Sequence, residues 1–215
     1  MNLLQEIGKK YGTDKSGHTY KGITYLDIYS RYLYNIRFDI KVFVEIGVLN
    51  GSSLKMWSEY FPNAKIYGID INPVCKEYES DRVEILIGDQ NDIEFLNSLS
   101  EKIGSIDILL DDGSHITGHQ INTFNILYKN IKKGGFYIIE DLTNSYEEQL
   151  NHHDLRAIWP GMYLNKPDDP LKNYRQDFNN FVQELIKIMD FHQSNKNDIV
   201  SIHFHPMIVI FENCK

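Results

Sequence analysis

The sequence predicts an α/β fold in which a doubly wound, mostly parallel sheet of seven strands ends in a closing antiparallel hairpin. Short apolar runs alternate along the chain with segments whose apolar residues recur at helical spacing, which is typical of a parallel sheet covered by helices. The last β-rich stretch, 198–213, is interrupted only at His205 and Pro206. Its two halves leave no room for a helix between them, which predicts the hairpin.

Five short runs rich in Ile and Val are predicted to be the parallel strands. Each is apolar at successive positions, as buried strands are when helices cover both faces of a sheet. The predicted strands cover residues 41–47, 65–71, 83–89, 106–112 and 135–141. Because the predicted elements follow one another as strand, helix, strand, we expect a single domain spanning residues 1–215.

Helices are predicted where apolar residues recur three or four positions apart. The first of them, over 51–61, places Leu54 and Trp57 on one face. Further helices are predicted over 92–103, 119–131 and 178–191. These segments lie between the predicted strands, and the last one precedes the hairpin.

Two segments are predicted to cover the sheet. Residues 1–40 begin with a short amphipathic stretch and are predicted to form a helical and loop cap. Residues 142–177 are polar, irregular and long for a connection, which is typical of a functional loop. We therefore expect residues 142–177 to be a substrate lid.

Composition disfavours several function classes. The formal net charge is −8 and the basic runs are short pairs such as Lys9 and Lys10, so a nucleic-acid partner is disfavoured. No apolar run approaches the roughly 18 residues that a membrane span needs, and the N-terminus lacks the apolar core of a secretory signal. Cys75 and Cys214 lie in no metal-binding spacing. We therefore expect a cytoplasmic protein with free thiols and no membrane partner.

Every predicted parallel strand ends in at least one carboxylate. Because the carboxyl ends of parallel strands meet at one edge of the sheet, where ligands bind in open α/β folds, we expect these side chains to lie close together. The residues are Glu45, Asp70, Asp89, Asp111, Asp112, Glu140 and Asp141. A single such residue is as typical of a turn or a helix cap as of a site, but five acidic strand ends together predict a site.

The loop after the first parallel strand, EIGVLNGSS (45–53), carries two glycines and then opens a helix. Gly47 and Gly51 allow the backbone to approach a ligand closely, and Ser52 or Ser53 can cap the helix. The G-x-x-x-G spacing matches neither the phosphate-binding loop nor the dinucleotide-binding G-x-G-x-x-G. The loop alone is therefore weak support for a nucleotide site.

Two acids strengthen the interpretation of this loop. Asp70 ends the next strand, where a carboxylate can accept hydrogen bonds from ribose hydroxyls. Asp89 ends the third strand, near the position that an adenine ring would take. Together with the glycine loop they predict a site for an adenosine-containing cofactor.

Several motifs carry a resemblance to a known enzyme class. They are YGTDKSGHTY (11–20), VEIGVLNGSSLKMW (44–57), the acidic end of YGIDI (67–71), GDQND (88–92), DDGSH (111–115) and GGFYIIEDL (134–142). Together they resemble class I S-adenosylmethionine-dependent methyltransferases. Within that class they are similar to the metal-dependent O-methyltransferases that act on macrolide deoxysugars. The resemblance covers about residues 11–146.

The resemblance implies a Rossmann-like fold, S-adenosylmethionine as the cofactor and O-methylation of a hydroxyl on a sugar or glycoside. The residues that it assigns to the cofactor are Thr13, Lys15, Glu45, Gly47, Ser52, Ser53, Asp70, Asp89, Gln90 and Asp111. It also implies that the partner is a small hydroxylated acceptor containing a sugar, and that the protein is a homo-oligomer.

A divalent-metal site formed by Asp112, Glu140 and Asp141 also follows from the resemblance, with Mg²⁺ as the expected ion and Mn²⁺ as the alternative. Without a cation these three acids would repel one another and raise one another's pKa values. Asp112 and His115 are the expected catalytic residues. His115 would take a proton from a hydroxyl of a metal-bound diol, a task that suits a neutral imidazole near neutral pH. His119, one turn later, is a weaker candidate for the base.

Alternatives remain open for the site and for the function. His115 can instead be a helix-start histidine bonded to a neighbouring backbone group, and His203 and His205 can form a metal pair, although a partly buried strand face is favoured. A catechol-type O-methyltransferase would use a similar metal–diol geometry. An NAD-dependent oxidoreductase could use the same sheet, although the G-x-x-x-G spacing counts against it. A non-catalytic relict of a nucleotide-binding protein would have no reason to keep the acids and His115 together.

Overall fold

The computed structural model describes residues 2–17, 19–142, 175–190 and 198–214. In these residues the helices are α1 (Leu3–Tyr11), α2 (Tyr25–Leu33), α3 (Ser52–Tyr60), α4 (Ile93–Ile103), α5 (Thr117–Leu127) and α6 (Arg175–Asp190). The strands are β1 (Thr19–Tyr20), β2 (Ile23–Thr24), β3 (Val42–Ile46), β4 (Lys65–Asp70), β5 (Val83–Ile87), β6 (Ile106–Asp111), β7 (Ile131–Ile139), β8 (Ile199–His205) and β9 (Ile208–Asn213). None of the described helices is both long enough and apolar enough to cross a membrane.

The main sheet has seven strands in the order β5-β4-β3-β6-β7-β9-β8. Strands β3 to β7 pair in parallel, whereas β9 runs antiparallel to both β7 and β8. The predicted doubly wound, mostly parallel sheet with a closing C-terminal hairpin is therefore confirmed. The chain order reverses at β3, whose neighbours are β4 and β6, so a crevice is expected beyond the carboxyl ends of β3 and β6.

Helices cover both faces of this sheet. On one face Phe43 of β3 packs with residues of α1, α2 and α3, and its ring centroid lies 4.9 Å from that of Trp57. The next residue, Val44, belongs to the opposite core cluster, which includes Phe124 of α5 and Phe178 of α6. Because side chains alternate between faces along a strand, burial on both faces explains the apolar run that predicted β3.

Hydrogen bonds tie the segment before β3 to the rest of the fold. Thr24 and Asp27 form a capping box that starts α2. Gln5 of α1 donates from Nε2 to the carbonyl of Ser16 at 3.0 Å and accepts from Thr24 Oγ1 at 3.0 Å. These bonds connect α1, the loop after it and α2, and they determine where Lys15 of that loop lies.

The predicted lid, 142–177, falls mostly on residues 143–174, which lie outside the described residues, so its role stays a prediction. Residues 175–177 form the first turn of α6, which begins three residues before the predicted helix start. The guanidinium of Arg175 lies over the ring of Phe178, 5.0 Å from its centroid. This cation–π contact stabilises the first turn of α6. The apolar periodicity that predicted the helix does not include Arg175, so it could not predict this turn.

Candidate active site

Acidic side chains from three neighbouring strands meet one lysine at the carboxyl edge of the sheet. Glu45 lies in β3, Asp112 follows β6 and Glu140 follows β7. Lys15 reaches this edge from the loop after α1, and its Nζ donates to Asp112 Oδ2 and, at 2.7 Å, to Glu140 Oε2. Glu45 Oε1 lies 3.6 Å from the same nitrogen. The lysine predicted to bind the cofactor thus contacts carboxylates in this structure, and its contact with a cofactor stays a prediction.

Burial and crowding shift the pKa values of this cluster. Burial lowers the pKa of Lys15, but the surrounding carboxylates outweigh it and hold that pKa well above its ordinary value. Burial, reinforced by Asp112, raises the pKa of Glu140 well above its usual range. Burial also raises the pKa of Asp112, and it raises the pKa of Glu45 to about 7. With Asp141 nearby, carboxylates outnumber the ammonium, and a divalent cation would offset the excess negative charge.

Two tyrosines of α2, one helical turn apart, complete the cluster, and the sequence analysis did not single them out. Tyr25 donates its hydroxyl hydrogen to Asp141 Oδ1, and Tyr29 donates to Glu140 Oε1. Burial raises the pKa of both phenols well above the ordinary value, so both remain protonated donors. The available signal was a pair of aromatic residues four positions apart on an amphipathic helix, which is equally typical of a helix face that packs into a core.

His115 lies beside Asp141, with its Nε2 3.6 Å from Asp141 Oδ2. One ligand atom from each of Asp112, His115 and Asp141 lies within 4.8 Å of the others. His115 and Asp141 have φ values of 57° and 56°, in the left-handed region that non-glycine residues rarely adopt and that is enriched at functional sites. The weaker candidate for the base, His119, is buried with its Nδ1 3.0 Å from Ser114 Oγ.

The predicted metal ligands were Asp112, Glu140 and Asp141. The three residues whose possible ligand atoms lie within 4.8 Å of one another in the structure include His115 in place of Glu140. Glu140 is 1% exposed, and its two carboxylate oxygens accept hydrogen bonds from Tyr29 and from the lysine of the cluster. Asp112 and Asp141 belong to both sets. The structure therefore brings all four residues together, and their division into ligands and base stays a prediction.

The glycine loop after β3 is pressed against the turn that carries Asp112. Gly47 has a φ of 93°, and a Cβ atom there would overlap the Asp112 carbonyl, lying 2.7 Å from its carbon. The Gly47 N–H donates to the carbonyl of Ile69 at 2.8 Å, and the Asp112 N–H donates to the carbonyl of Ile46 at 2.9 Å. Both the positive φ and the close approach require glycine at position 47.

Backbone amides of this loop bind the carboxylate that ends β4. Asp70 Oδ2 accepts from the N–H of Val48 at 2.8 Å and from the N–H of Leu49 at 3.3 Å. At the other end of the loop, the Ser53 hydroxyl donates to Glu45 Oε2 at 2.7 Å. Asp70 is half-buried, so its carboxylate is oriented by the loop and still reaches solvent.

The remaining residues predicted to bind the cofactor make few contacts with this cluster. Asp89 is exposed in the turn after β5, and its Oδ1 accepts from the Asn91 N–H at 2.8 Å. Thr13 is buried immediately before the short 3₁₀ turn that contains Lys15. Ser52 is half-buried at the first position of α3. Their contacts with a cofactor stay predictions.

Gln90 and Asp111 support the turn between β6 and α5. Gln90 Nε2 donates to both carboxylate oxygens of Asp111 at 2.7 Å, and Gln90 Oε1 accepts from the Ser114 N–H at 2.9 Å. Asp111 is fully buried, and burial raises its pKa to about 6. These bonds direct both side chains towards each other and hold the turn that carries Asp112 and His115. Contact of Gln90 and Asp111 with the cofactor stays a prediction.

His203 and His205 of β8 face Tyr32 of α2. The Tyr32 hydroxyl lies 2.7 Å from His205 Nε2, and the Tyr32 ring makes edge contacts with both imidazoles, with centroids 5.2 and 5.6 Å apart. The candidate metal-binding group that the described residues form is the one with Asp112, and it does not include either histidine. These contacts favour a partly buried strand face over a metal pair.

Many classes of protein share an α/β sheet of this kind, and the family that the chain matches identifies the class. The family described as FtsJ-like methyltransferase matches residues 26–172. The chain belongs to this family. The match spans β3 to β7 and both acidic turns, and it confirms the predicted resemblance to methyltransferases. It also disfavours the alternative of an NAD-dependent oxidoreductase.

Relatives of this FtsJ-like methyltransferase include enzymes named for sugar O-methylation. The 8-demethyl-8-alpha-L-rhamnosyl tetracenomycin-C 2'-O-methyltransferase of Streptomyces olivaceus is 30% identical over 97% of this chain and 54% of its own length. The mycinamicin VI 2''-O-methyltransferase of Micromonospora griseorubida is 34% identical over 74% of this chain and 37% of its own length.

A solved structure extends the similarity to the fold. The MycE methyltransferase from the mycinamycin biosynthetic pathway, in complex with Mg, SAH and mycinamycin VI, superposes with a TM-score of 0.77 at 28% identity. The superposition covers 100% of this chain and 55% of that one. The chain thus spans about half the length, or less, of the curated relatives named above and about half of the MycE chain.

Proposed function

We propose that this protein is an S-adenosylmethionine-dependent, divalent-metal-dependent O-methyltransferase that acts on a hydroxyl of a sugar or glycoside. The observation that carries the proposal is the group of Asp112, Asp141 and His115 at the carboxyl edge of a methyltransferase sheet. The names of the relatives support the sugar acceptor, and the Mg and SAH of the MycE complex support the metal and the cofactor.

The residues at this edge fit a magnesium or manganese ion. Both ions prefer oxygen ligands, which Asp112 and Asp141 offer, and Glu140 is the third predicted ligand. The cluster also holds more carboxylates than its one buried ammonium can balance. When bound, a divalent cation supplies polarisation of neighbouring hydroxyl groups.

His115 is proposed to remove the proton of the acceptor hydroxyl. Its imidazole is 8% exposed, so little water competes for it, and its Nε2 lies 3.6 Å from Asp141 Oδ2. That carboxylate stabilises the imidazolium that forms when the proton is taken. Because methyl transfer needs an aligned attack, the rigid packing of the turn after β6 is proposed to hold His115 at a constant angle to the acceptor.

The glycine loop and Asp70 are proposed to hold the methyl donor. The loop backbone can approach a ligand closely because position 47 lacks a side chain. Asp70 accepts from three backbone amides, two at Oδ2 and that of Asn72 at Oδ1, and Oδ1 keeps acceptor capacity for a ribose hydroxyl. Donor and acceptor would then meet where this loop touches the Asp112 turn.

Calorimetric titration with S-adenosylmethionine, with and without Mg²⁺ and beside NAD⁺, tests the proposal. We expect micromolar binding of S-adenosylmethionine and none of NAD⁺. Asp70→Ala should weaken S-adenosylmethionine binding by about 10- to 100-fold, because charged hydrogen bonds are lost. Asp112→Asn should retain that binding and lose methyl transfer by about 100-fold or more. Asp81→Asn, an exposed carboxylate before β5, is the matched control.

Acceptor assays complete this test. Methyl transfer from S-adenosylmethionine to deoxysugar glycosides should require Mg²⁺ or Mn²⁺ and stop with EDTA. Transfer to catechols alone would replace the sugar acceptor by the phenol alternative, and absence of S-adenosylmethionine binding would refute the proposed function. The proposed homo-oligomer and cytosolic location, inferred from the family resemblance and the sequence, are tested by light scattering and by cell fractionation.

A further inference from the structure

Helix α2 lies outside the sheet, yet it supplies hydrogen-bond donors to two of the acids at the site. Tyr25 is its first residue, and Tyr29 follows one turn later on the same face. The capping box at Thr24 and Asp27 determines where the helix begins, and therefore where both rings point. Asn2 of the N-terminal segment donates to Asp27 Oδ1 at 2.8 Å and adds a second restraint.

Each phenol takes one oxygen of a carboxylate and leaves the other directed to the middle of the site. Tyr29 donates to Glu140 Oε1, while Glu140 Oε2 faces the ammonium of Lys15 at 2.7 Å. Tyr25 donates to Asp141 Oδ1, while Asp141 Oδ2 faces His115 Nε2 at 3.6 Å. The two hydroxyls thereby restrict the rotation of two adjacent carboxylates at once.

The rings themselves are held rigidly. Tyr29 is fully buried and its ring centroid lies 5.8 Å from that of Trp57, and Tyr25 is 4% exposed. A packed aromatic ring loses little further freedom when its hydroxyl forms a hydrogen bond. Outer partners of this kind orient metal ligands, and removing them commonly weakens metal binding about 10- to 100-fold.

We propose that Tyr25 and Tyr29 are positioning residues, which orient the Asp141 and Glu140 carboxylates for the divalent cation and so make α2 part of the metal site. This inference rests on the proposed function. It adds that the N-terminal segment, which no metal-ligand pattern points to, sets the affinity for the metal. A role limited to folding would leave that affinity unchanged in any variant that folds.

Titration of Mn²⁺ into the purified chain, followed by electron paramagnetic resonance, tests this inference without any methyl acceptor. Tyr25→Phe and Tyr29→Phe remove only the hydroxyls and keep the rings. Each should weaken Mn²⁺ binding by about 10-fold or more. The control is Tyr32→Phe, on the same helix, whose hydroxyl contacts His205 and no acid of the site. It should bind Mn²⁺ within about twofold of the unchanged protein.

A double-mutant cycle separates positioning from general damage. If Tyr29 acts through Glu140, then Tyr29→Phe should cause no further loss of Mn²⁺ affinity in a Glu140→Gln background. Thermal unfolding in EDTA identifies variants that fail to fold. If Tyr29→Phe fails in this way, Tyr25→Phe, which removes the hydroxyl that donates to Asp141, carries the test.

Two failures are distinguishable. If the unchanged protein binds no Mn²⁺, the metal dependence of the proposed function is refuted, and the inference with it. If the unchanged protein binds Mn²⁺ and a folded Tyr25→Phe or Tyr29→Phe binds it as tightly as Tyr32→Phe does, the tyrosines are not positioning residues and the proposed function stands.

Discussion

The two halves of the site are built in different ways. The half proposed to bind the metal, called the metal half below, consists of Lys15, Tyr25, Tyr29, Asp112, His115, Glu140 and Asp141. The half proposed to bind the methyl donor, called the cofactor half, consists of residues 47–53, Asp70 and Asp89. In the metal half, side chains bind side chains across long stretches of sequence, 125 residues from Lys15 to Glu140. In the cofactor half, backbone amides bind Asp70 from 21 and 22 residues away.

This difference separates two sources of rigidity. The metal half depends on a balance of buried charges, so the loss of one partner leaves another charged group in a poorly solvated position. The cofactor half depends on backbone geometry, which few side-chain changes disturb. Glu45 lies between the halves, because it faces Lys15 on one side and accepts from Ser53 on the other.

Removing the lysine charge should break the metal half most severely. Lys15→Met keeps the length of the side chain but leaves the buried Glu140 and the partly exposed Asp112 beside each other without an ammonium. We expect the free energy of unfolding, measured by urea denaturation in EDTA at pH 8, to fall by about 3–5 kcal/mol. The matched control is Lys10→Met, whose ammonium pairs with Glu59 at the exposed surface and should change little.

The pH dependence of this loss has a definite sign. Burial already raises the pKa of Glu140, and removal of the neighbouring ammonium raises it further. A carboxyl whose folded pKa is raised stabilises the fold at low pH and destabilises it as pH rises. The loss in the free energy of unfolding caused by Lys15→Met should therefore be smaller at pH 5 than at pH 8. Mg²⁺ should restore part of the lost stability. If Lys15→Met and the unchanged protein had the same free energy of unfolding at pH 8, the proposed balance of buried charges would be contradicted.

The sequence could predict the fold and the acidic edge because both depend on local patterns. Apolar runs mark β3 and β6, and an acid at the end of a parallel strand necessarily lies at the carboxyl edge. Asp112 and Glu140 could therefore be placed near each other although they lie on different strands. The glycine at position 47 could likewise be identified from the loop in which it occurs.

The partners inside the metal half could not be predicted in this way. No local pattern connects Lys15 with acids 97 and 125 residues away, and nothing distinguishes Tyr25 and Tyr29 among 14 tyrosines. Local pattern does not distinguish the adjacent Asp111 and Asp112, and only the family resemblance assigned them different roles. The end of β6 buries the first completely and leaves the second partly exposed, because successive residues leave a strand on opposite sides.

A methyl group at position 47 tests the contact between the two halves, which Gly47 makes with the backbone of Asp112. Gly47→Ala would place a Cβ against the Asp112 carbonyl at a φ of 93°. We expect a loss in the free energy of unfolding of more than about 1 kcal/mol, since alanine is strained at positive φ and the backbone itself must move. Gly12→Ala is the control for strain alone, because its φ is 67° and nothing lies within 4 Å of the added Cβ.

Mn²⁺ affinity sharpens this result. Because the displaced atom belongs to the backbone of Asp112, Gly47→Ala should weaken Mn²⁺ binding as well as stability, whereas Gly12→Ala should affect stability alone. If both variants lose the same stability and bind Mn²⁺ equally, the two halves are not coupled through this contact.

The smallest effect concerns Cys75, which lies beneath the cofactor half. Its side chain is 1% exposed and its Sγ lies 3.6 Å from the carbonyl of Leu49. Burial, with the nearby Asp70 carboxylate, raises the pKa of the thiol to about 11. The reactive thiolate is then about one part in a thousand at pH 8. Iodoacetamide should therefore modify the exposed Cys214 and spare Cys75 in the folded protein, as measured by mass spectrometry.

A Cys214→Ser variant allows the slow reaction of Cys75 with iodoacetamide to be measured by itself. The rate at Cys75 should rise as pH approaches 11, and in urea it should become that of an ordinary thiol. Since the Leu49 carbonyl belongs to the loop proposed to hold the methyl donor, S-adenosylhomocysteine should slow the remaining reaction further. Rapid modification of Cys75 in the folded protein at pH 8 would show that this loop opens readily, and that backbone hydrogen bonds alone do not keep the cofactor half rigid.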